Sequence, residues 1–213
     1  MPSMTTSKAR NYNHRSFKQE LYRKALHAVA LVIPVGMFVL DQKYVIVLLG
    51  LASACALGLE IVRTRLSAVN HWISKYLGFM MRPEEISGPN KTIVFTGATW
   101  VFISAFILAL FFPKHIAACA FAVFMVGDGF AALVGRRYGK IFWRGGRKTL
   151  EGSMAFLVSA LVVVLMVPGV KFMAGAWASV GACLAEALPG PLNDNLRSPL
   201  VAALIMATVE SFY

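Results

Sequence analysis

The chain consists of long apolar runs separated by short polar segments. A helix needs about 20 mostly apolar residues to cross the hydrocarbon core of a bilayer. The pattern predicts seven membrane spans, at 25–41, 44–62, 92–112, 115–135, 150–168, 172–188 and 199–213. The runs lack the alternation of apolar and polar positions that marks a transmembrane β-barrel. We therefore expect an all-α fold, a polytopic transmembrane helical bundle formed by residues 25–213 as one domain, preceded by a basic segment, 1–24.

The basic residues predict the orientation of this bundle. With the N-terminus in the cytoplasm, 18 of the 21 Lys and Arg residues fall in cytoplasmic segments, which are 1–24, 63–91, 136–148 and 189–198. Basic residues are retained in cytoplasmic loops during insertion, so this asymmetry favours that orientation. The composition agrees, since only 15% of residues are charged, against about 25% in soluble domains. The net charge of +11 fits a bilayer with anionic headgroups, and we expect no nucleic-acid partner.

One cytoplasmic segment, 67–82, has its own amphipathic pattern. Val69, Trp72, Ile73 and Tyr76 recur at helical spacing, and polar residues occupy the other side. Such a helix can lie in the membrane interface, or it can be a loop helix that packs on the bundle. The sequence leaves both interpretations open.

The acidic residues converge on the cytoplasmic side of this topology. Eight of the ten Asp and Glu residues lie there, and only Asp41 and Glu210 lie outside. Asp128 stands out because it lies within the apolar run Ala117–Val134, where a carboxylate is costly unless it is paired or binds a cation. The small residues that share its helical face would let another helix or a ligand approach closely. We therefore predict that Asp128 is a catalytic residue and a metal ligand.

A basic loop follows Asp128 and leads into the next helix. Segment 136–148 contains six Lys and Arg residues, and Thr149-Leu150-Glu151-Gly152-Ser153 then opens a helix with Thr149 as its predicted N-cap. Basic side chains beside the free N–H groups of a helix start form an anion site. The loop does not match a P-loop. A metal-binding acid next to a phosphate cradle is what phosphoryl transfer requires. The predicted phosphate-binding residues are Arg147, Lys148, Thr149 and Gly152.

Two further segments carry candidate site residues. Glu20, Arg23, Lys24 and His27 are spaced so that they share one face at the start of the first helix. We expect this face to form a wall of the site. Segment 192–199 reads as a turn before the last helix. Glu186, Asp194 and Asn195 are oxygen donors that reach the same cytoplasmic side.

Together these motifs resemble the CTP-dependent lipid kinases, which include dolichol kinase, phytol kinase and CTP-using diacylglycerol kinases. The resemblance rests on four motifs in order, which are E-x-x-R-K-x-x-H from Glu20, G-D-x-x-A from Gly127, K-T-x-E-G-S from Lys148 and D-N-L-x-x-P from Asp194. It implies a kinase in which CTP donates its γ-phosphate to a lipid alcohol such as a polyprenol, dolichol, phytol or diacylglycerol. It also implies a polytopic fold with the active site at the cytoplasmic face.

The mechanism that follows uses Mg²⁺ to bridge the CTP phosphates. Asp128 is the expected metal ligand, helped by Glu60, Glu151 or Asp194. We expect Lys148 to stabilise the transferring group. The remaining residues expected to hold the nucleotide or orient the lipid hydroxyl are Arg23, Lys24, His27, Arg147, Thr149, Gly152 and Asn195. The general base stays open between His27 and Glu151.

Two alternatives have different chemistry. Phosphatidate cytidylyltransferases resemble this chain in the block from G-D to K-T-x-E-G. Their C-terminal signature, K-R-x-x-K-D followed by H-G-G and D-R, is absent from the tail at 186–199, so we favour the kinase. A small transporter would place acids at several membrane depths, whereas here they gather at one face.

Overall fold

The structure is a computed structural model that describes residues 21–79, 81, 85, 94–143, 148–190 and 192–212. Every regular element in these residues is a helix, and one isolated antiparallel bridge joins Phe142 to Thr149. The helices are α1 (Leu21–Val39), α2 (Gln42–Arg65), α3 (Ser67–Leu77), α4 (Gly97–Phe111), α5 (Lys114–Tyr138), α6 (Leu150–Met166), α7 (Phe172–Ala187) and α8 (Asp194–Glu210). The predicted all-α fold is confirmed for the described residues.

Tight turns connect the helices at one end of the bundle. Only Leu40 and Asp41 separate α1 from α2, and Phe112 with Pro113 separates α4 from α5. The turn between α6 and α7 contains Gly169 at a φ of 84°, a left-handed conformation that glycine adopts without the steric cost of a Cβ atom. Connections this short require neighbouring helices to run antiparallel.

Helix α5 is the centre of the bundle. It packs against α1, α4, α6, α7 and α8, and its residues 116–121 and 123–125 are all buried. The largest apolar side chains of the core are Phe121, Phe124 and Phe156, each fully buried. In contrast, α1 and α2 are peripheral and expose apolar side chains such as Val32 and Val39. An exposed apolar face of this length is the kind of surface that lipid covers.

Within the part of the chain that the structure describes, three helices are long and apolar enough to cross a membrane, namely α1, α2 and α5. Helices α4, α6 and α7 are also apolar but have only 15, 17 and 16 residues. At about 1.5 Å per residue they extend about 22–26 Å, less than the hydrocarbon thickness of about 30 Å. The fold is that of a membrane protein by helix length and composition, and the seven-span topology stays a prediction.

One detail differs from the sequence interpretation, and a second concerns the amphipathic segment. Segment 192–199 was expected to be a turn, but α8 already begins at Asp194 and continues through Pro199. The Asn193 side chain caps this start by accepting a hydrogen bond from the Asn195 N–H at 3.0 Å, which lets the helix begin ahead of the proline.

In α3, Ile73 is buried, whereas Trp72 and Tyr76 are more than half exposed. Helix α3 therefore packs on the bundle through Ile73 and leaves aromatic side chains uncovered.

Candidate active site

Asp128 lies on α5 and is almost fully buried. Its Oδ2 atom forms an ion pair with the Lys24 ammonium group of α1. The Nδ1 atom of His27, one turn further along α1, lies 3.4 Å from the same oxygen. The predicted shared face of Lys24 and His27 is confirmed. Arg23 precedes Lys24 on α1 and is half-buried, and Glu20 lies outside the described residues.

Lys148 approaches from the loop before α6. Its ammonium group pairs with Glu186 Oε1 in the last turn of α7, and it lies 3.8 Å from Asp194 Oδ2 at the start of α8. Burial lowers the pKa of Lys148, but the carboxylates of Glu186, Asp128 and Asp194 outweigh burial and hold the pKa above its ordinary value. Lys148 is therefore cationic at neutral pH, and the field of Asp128 reaches it.

These contacts form two groups at one end of the bundle, one around Asp128 and one around Lys148, and the Asp128 carboxylate helps to raise the pKa of Lys148. We call the two groups together the acid–lysine cluster: Lys24, His27, Asp128, Lys148, Glu186 and Asp194. Its members come from α1, α5, α7, α8 and the loop before α6. The sequence indicates Glu186 only as an oxygen donor and does not predict its pairing with Lys148. The available signal was an acid in an otherwise apolar helix, which is also the type of signal that singles out Asp128.

The predicted N-cap of α6 is confirmed. The Thr149 hydroxyl accepts a hydrogen bond from the Gly152 N–H at 3.2 Å. An added Cβ atom at Gly152 would lie 2.8 Å from the Ala131 carbonyl oxygen and 3.3 Å from the Gly135 Cα atom. The helix backbones of α5 and α6 are thus in direct contact, and helix packing explains the small residues on this face of α5.

Glu151 contacts the basic loop rather than Asp128. Its Oε1 atom accepts hydrogen bonds from the backbone N–H groups of Lys140, at 3.0 Å, and Ile141, at 3.3 Å. The same carboxylate borders an open cleft of about 440 Å³, whose lining residues are Arg137, Tyr138, Gly139, Lys140 and Glu151. Arg147 lies outside the described residues.

Glu60 belongs to a separate buried network. Its Oε2 atom pairs with Arg63 at 2.6 Å, and its Oε1 atom accepts from the Thr99 hydroxyl and the Thr96 N–H, each at 3.0 Å. Asn195, also buried, donates from Nδ2 to the Gly97 carbonyl oxygen at 3.0 Å and so joins α8 to α4. Neither side chain is brought into contact with Asp128.

The acid–lysine cluster fits a magnesium–nucleotide complex. Among the described residues no three His, Cys, Asp or Glu side chains form a preassembled metal site. Mg²⁺ with a nucleotide requires only one or two carboxylates, because the phosphates and water complete its octahedron. Asp194 lies 3.8 Å from the Lys148 ammonium group, and the Asp128 carboxylate acts on Lys148 electrostatically. Both carboxylates are hard oxygen donors of the kind that Mg²⁺ prefers.

Comparison with known proteins gives one extended and one local similarity. The chain is 26% identical to an uncharacterized protein of Rickettsia prowazekii over 191 residues, which cover 86% of this chain and 91% of that protein. A segment of 41 residues is 49% identical to dolichol kinase of Saccharomyces cerevisiae, covering 19% of this chain and 8% of the yeast enzyme. No protein-family model and no solved structure matches the chain. The local similarity to dolichol kinase points to lipid kinases, as the sequence motifs do.

Proposed function

We propose that this protein is a membrane-bound lipid kinase that transfers the γ-phosphate of CTP to the hydroxyl group of a lipid alcohol. The observation that carries the proposal is the acid–lysine cluster, in which the buried Asp128 carboxylate meets Lys24, His27 and the field of Lys148. Buried acids beside cations are the groups that bind a metal–phosphate complex and stabilise its transferring phosphoryl group. The local similarity to dolichol kinase supports the same reaction class.

Asp128, with Asp194, is the proposed ligand set for Mg²⁺. The bound ion would neutralise the charge of the CTP phosphates. Lys148, with Arg147, is proposed to stabilise the negative charge that spreads over the γ-phosphoryl oxygens. Lys24 and Arg23 are proposed to hold the nucleotide from the α1 side. The lysines gain phosphate partners when the nucleotide binds, which frees the carboxylates for the cation.

His27 is the proposed acceptor of the hydroxyl proton. It lies 3.4 Å from Asp128, whereas the other candidate, Glu151, is engaged with backbone N–H groups. The lipid oxygen attacks the γ-phosphorus, the bond from that phosphorus to the β–γ bridging oxygen breaks, and CDP leaves. The exposed apolar face of α1 next to His27 suits a substrate whose hydroxyl group reaches the site from the bilayer.

The products of a labelled reaction test this proposal directly. Purified protein is incubated with Mg²⁺, CTP labelled at either the α- or the γ-phosphate, and one acceptor at a time from a panel of polyprenol, dolichol, phytol, diacylglycerol and phosphatidate. We expect γ-label in the lipid phase and α-label in water as CDP. Transfer of α-label to phosphatidate with release of pyrophosphate would identify a cytidylyltransferase instead. Absence of label from the lipid under both conditions would contradict both enzymes.

The orientation belongs to the same proposal. CTP is a cytosolic nucleotide, so the acid–lysine cluster is proposed to face the cytoplasm, with seven spans and a cytoplasmic N-terminus. The distribution of basic residues supports this orientation.

A further inference from the structure

The two arms of the basic loop between α5 and α6 are hydrogen-bonded to each other at its base. The Trp143 N–H donates to the Lys148 carbonyl oxygen at 2.9 Å, and the Leu150 N–H donates to the Ile141 carbonyl oxygen at 2.8 Å. These bonds flank the Phe142–Thr149 bridge. The position of the Lys148 backbone therefore depends on the first arm of the loop, residues 140–143.

Side chains from the first turn of α6 fasten the same arm. Glu151 accepts from the Lys140 and Ile141 N–H groups through Oε1, and its Oε2 atom lies 3.4 Å from the Ile141 nitrogen. The Ser153 hydroxyl accepts from Trp143 Nε1 at 2.9 Å. Backbone N–H groups are neutral donors, so the contact requires an acceptor oxygen and does not require a charge.

We propose that Glu151 is a positioning residue that keeps the two described arms of the basic loop, 140–143 and 148–150, paired with each other and thereby fixes Lys148 against Glu186 and Asp194. The loop is called closed when these two arms are paired. The inference rests on the proposed function for the role of Lys148, but the closure of the loop is a separate property of the fold. Glu151 then acts through Lys148 and takes no proton from the substrate. Under the proposed function, Lys148 of the K-T-x-E-G motif contacts phosphate, and Glu151 orients Lys148.

A positioning role predicts different effects for two substitutions of Glu151, whereas an acid–base role predicts the same effect for both. In Glu151→Gln the amide oxygen still accepts from the Lys140 and Ile141 N–H groups, so the loop stays closed. In Glu151→Leu both hydrogen bonds are lost. A general base would be disabled equally by the two substitutions, because neither side chain can accept a proton at neutral pH.

The first test measures loop closure by proteolysis and does not depend on catalytic activity. Full-length protein in detergent is digested with limiting trypsin, and cleavage within 136–148 is quantified by mass spectrometry, since this segment carries six Lys and Arg residues. We expect cleavage about tenfold faster in Glu151→Leu, an effect of the size that loss of two hydrogen bonds produces, and near the wild-type rate in Glu151→Gln. Asp41→Asn, at the opposite end of the bundle, is the control and should be cleaved at the wild-type rate.

A second substitution keeps the test decisive if Glu151→Leu fails to fold. Trp143→Phe removes the Nε1 bond to Ser153 while retaining an aromatic ring, and we expect faster cleavage in the same segment. Equal cleavage rates in all folded variants would overturn the proposal, whatever reaction the protein catalyses.

The kinetic test assigns the role. We expect Glu151→Leu to raise KM for CTP and lower kcat/KM about tenfold or more, whereas Glu151→Gln stays within about threefold of wild type. Loss of kcat in Glu151→Gln equal to that in Glu151→Leu, with the loop still protected from trypsin, would show acid–base catalysis and overturn the proposal. If no lipid acceptor is phosphorylated, the proposed function fails and the trypsin result alone decides whether Glu151 closes the loop.

Discussion

Two carboxylates lie within long apolar helices of this chain, and different neighbours stabilise them. Glu60 is paired with Arg63 on its own helix and accepts two further hydrogen bonds from the start of α4. Asp128 is paired with Lys24, which comes from another helix. A buried charge without a partner is costly, so both pairs are needed. The Asp128 pair lies beside His27 and acts electrostatically on the cationic Lys148. The Glu60 carboxylate is occupied by Arg63 and by donors at the start of α4, so Asp128 is the better candidate for chemistry.

Asp128→Asn tests that assignment. The substitution keeps the size of the side chain but removes the charge that would hold Mg²⁺. It also removes the anionic partner of the buried Lys24, so we expect a lower midpoint of thermal unfolding. In the folded protein we expect activity lower by on the order of 10²-fold or more, about 2.7 kcal/mol. The measurement is transfer of γ-label from CTP to lipid, with thermal unfolding in detergent as the check on folding. Asp41→Asn, an exposed acid, is the matched control. Near-normal turnover in Asp128→Asn would contradict the assignment of Asp128 as a ligand of Mg²⁺.

Arg63→Met tests whether Arg63 stabilises the buried Glu60 carboxylate. Arg63 is 2% exposed, and its side chain also donates to the Glu85 and Val94 carbonyl oxygens at 2.8 and 3.1 Å. Removing it leaves Glu60 buried without its cation, which costs about 3–5 kcal/mol. We expect a large fall in the midpoint of thermal unfolding. The double variant Glu60→Gln with Arg63→Met should recover part of the loss. Lys75→Met, at an exposed position on α3, should change the midpoint little.

At the scale of the elements, the contact between α5 and α6 depends on glycine. A Cβ atom at Gly127 would lie 2.7 Å from the Phe156 ring, which is fully buried, whereas a Cβ atom at Gly129 would meet nothing within 4 Å. Both residues are in α5, so they form a matched pair.

We expect Gly127→Ala to destabilise the protein by about 1–3 kcal/mol, because the ring has no space into which it can move. Gly129→Ala should be neutral or stabilising by up to about 1 kcal/mol, since alanine favours the helix. The measurement is the midpoint of thermal unfolding in detergent. Equal midpoints for the two variants would contradict this account of the contact.

Properties local to one helix could be predicted from the sequence. Apolar runs located the helices, and the spacing of Lys24 and His27 placed both on one face. Contacts between distant segments could not be predicted, because hydropathy does not encode which helices pack together. The pairing of Lys148 with Glu186, 38 residues apart, is one example. Another is the bond from Asn195 to Gly97, which joins segments 98 residues apart.

For the whole molecule, the polar groups divide between two ends of the bundle. Lys24, Lys148, Glu186 and Asp194 lie at the start of α1, before α6, at the end of α7 and at the start of α8. At the opposite end, His115 near the start of α5 lies 3.1 Å from Glu210 at the end of α8. This arrangement follows from the antiparallel order of the helices. It predicts that the loops at these ends lie on opposite sides of the membrane.

Cysteine labelling tests that prediction and the proposed orientation together. Ile141, 60% exposed, lies at the end that carries the acid–lysine cluster, and the exposed Asp41 lies at the other end. Each is replaced by cysteine in a protein whose Cys55, Cys119 and Cys183 are changed to alanine, and sealed vesicles of both orientations are treated with an impermeant maleimide. We expect position 141 to react only from the cytoplasmic side, because the basic loops are retained there, and position 41 only from the other side. Reaction of both positions from one side would contradict the prediction that the two ends of the bundle lie on opposite sides of the membrane. The reverse pattern would contradict the use of cytosolic CTP.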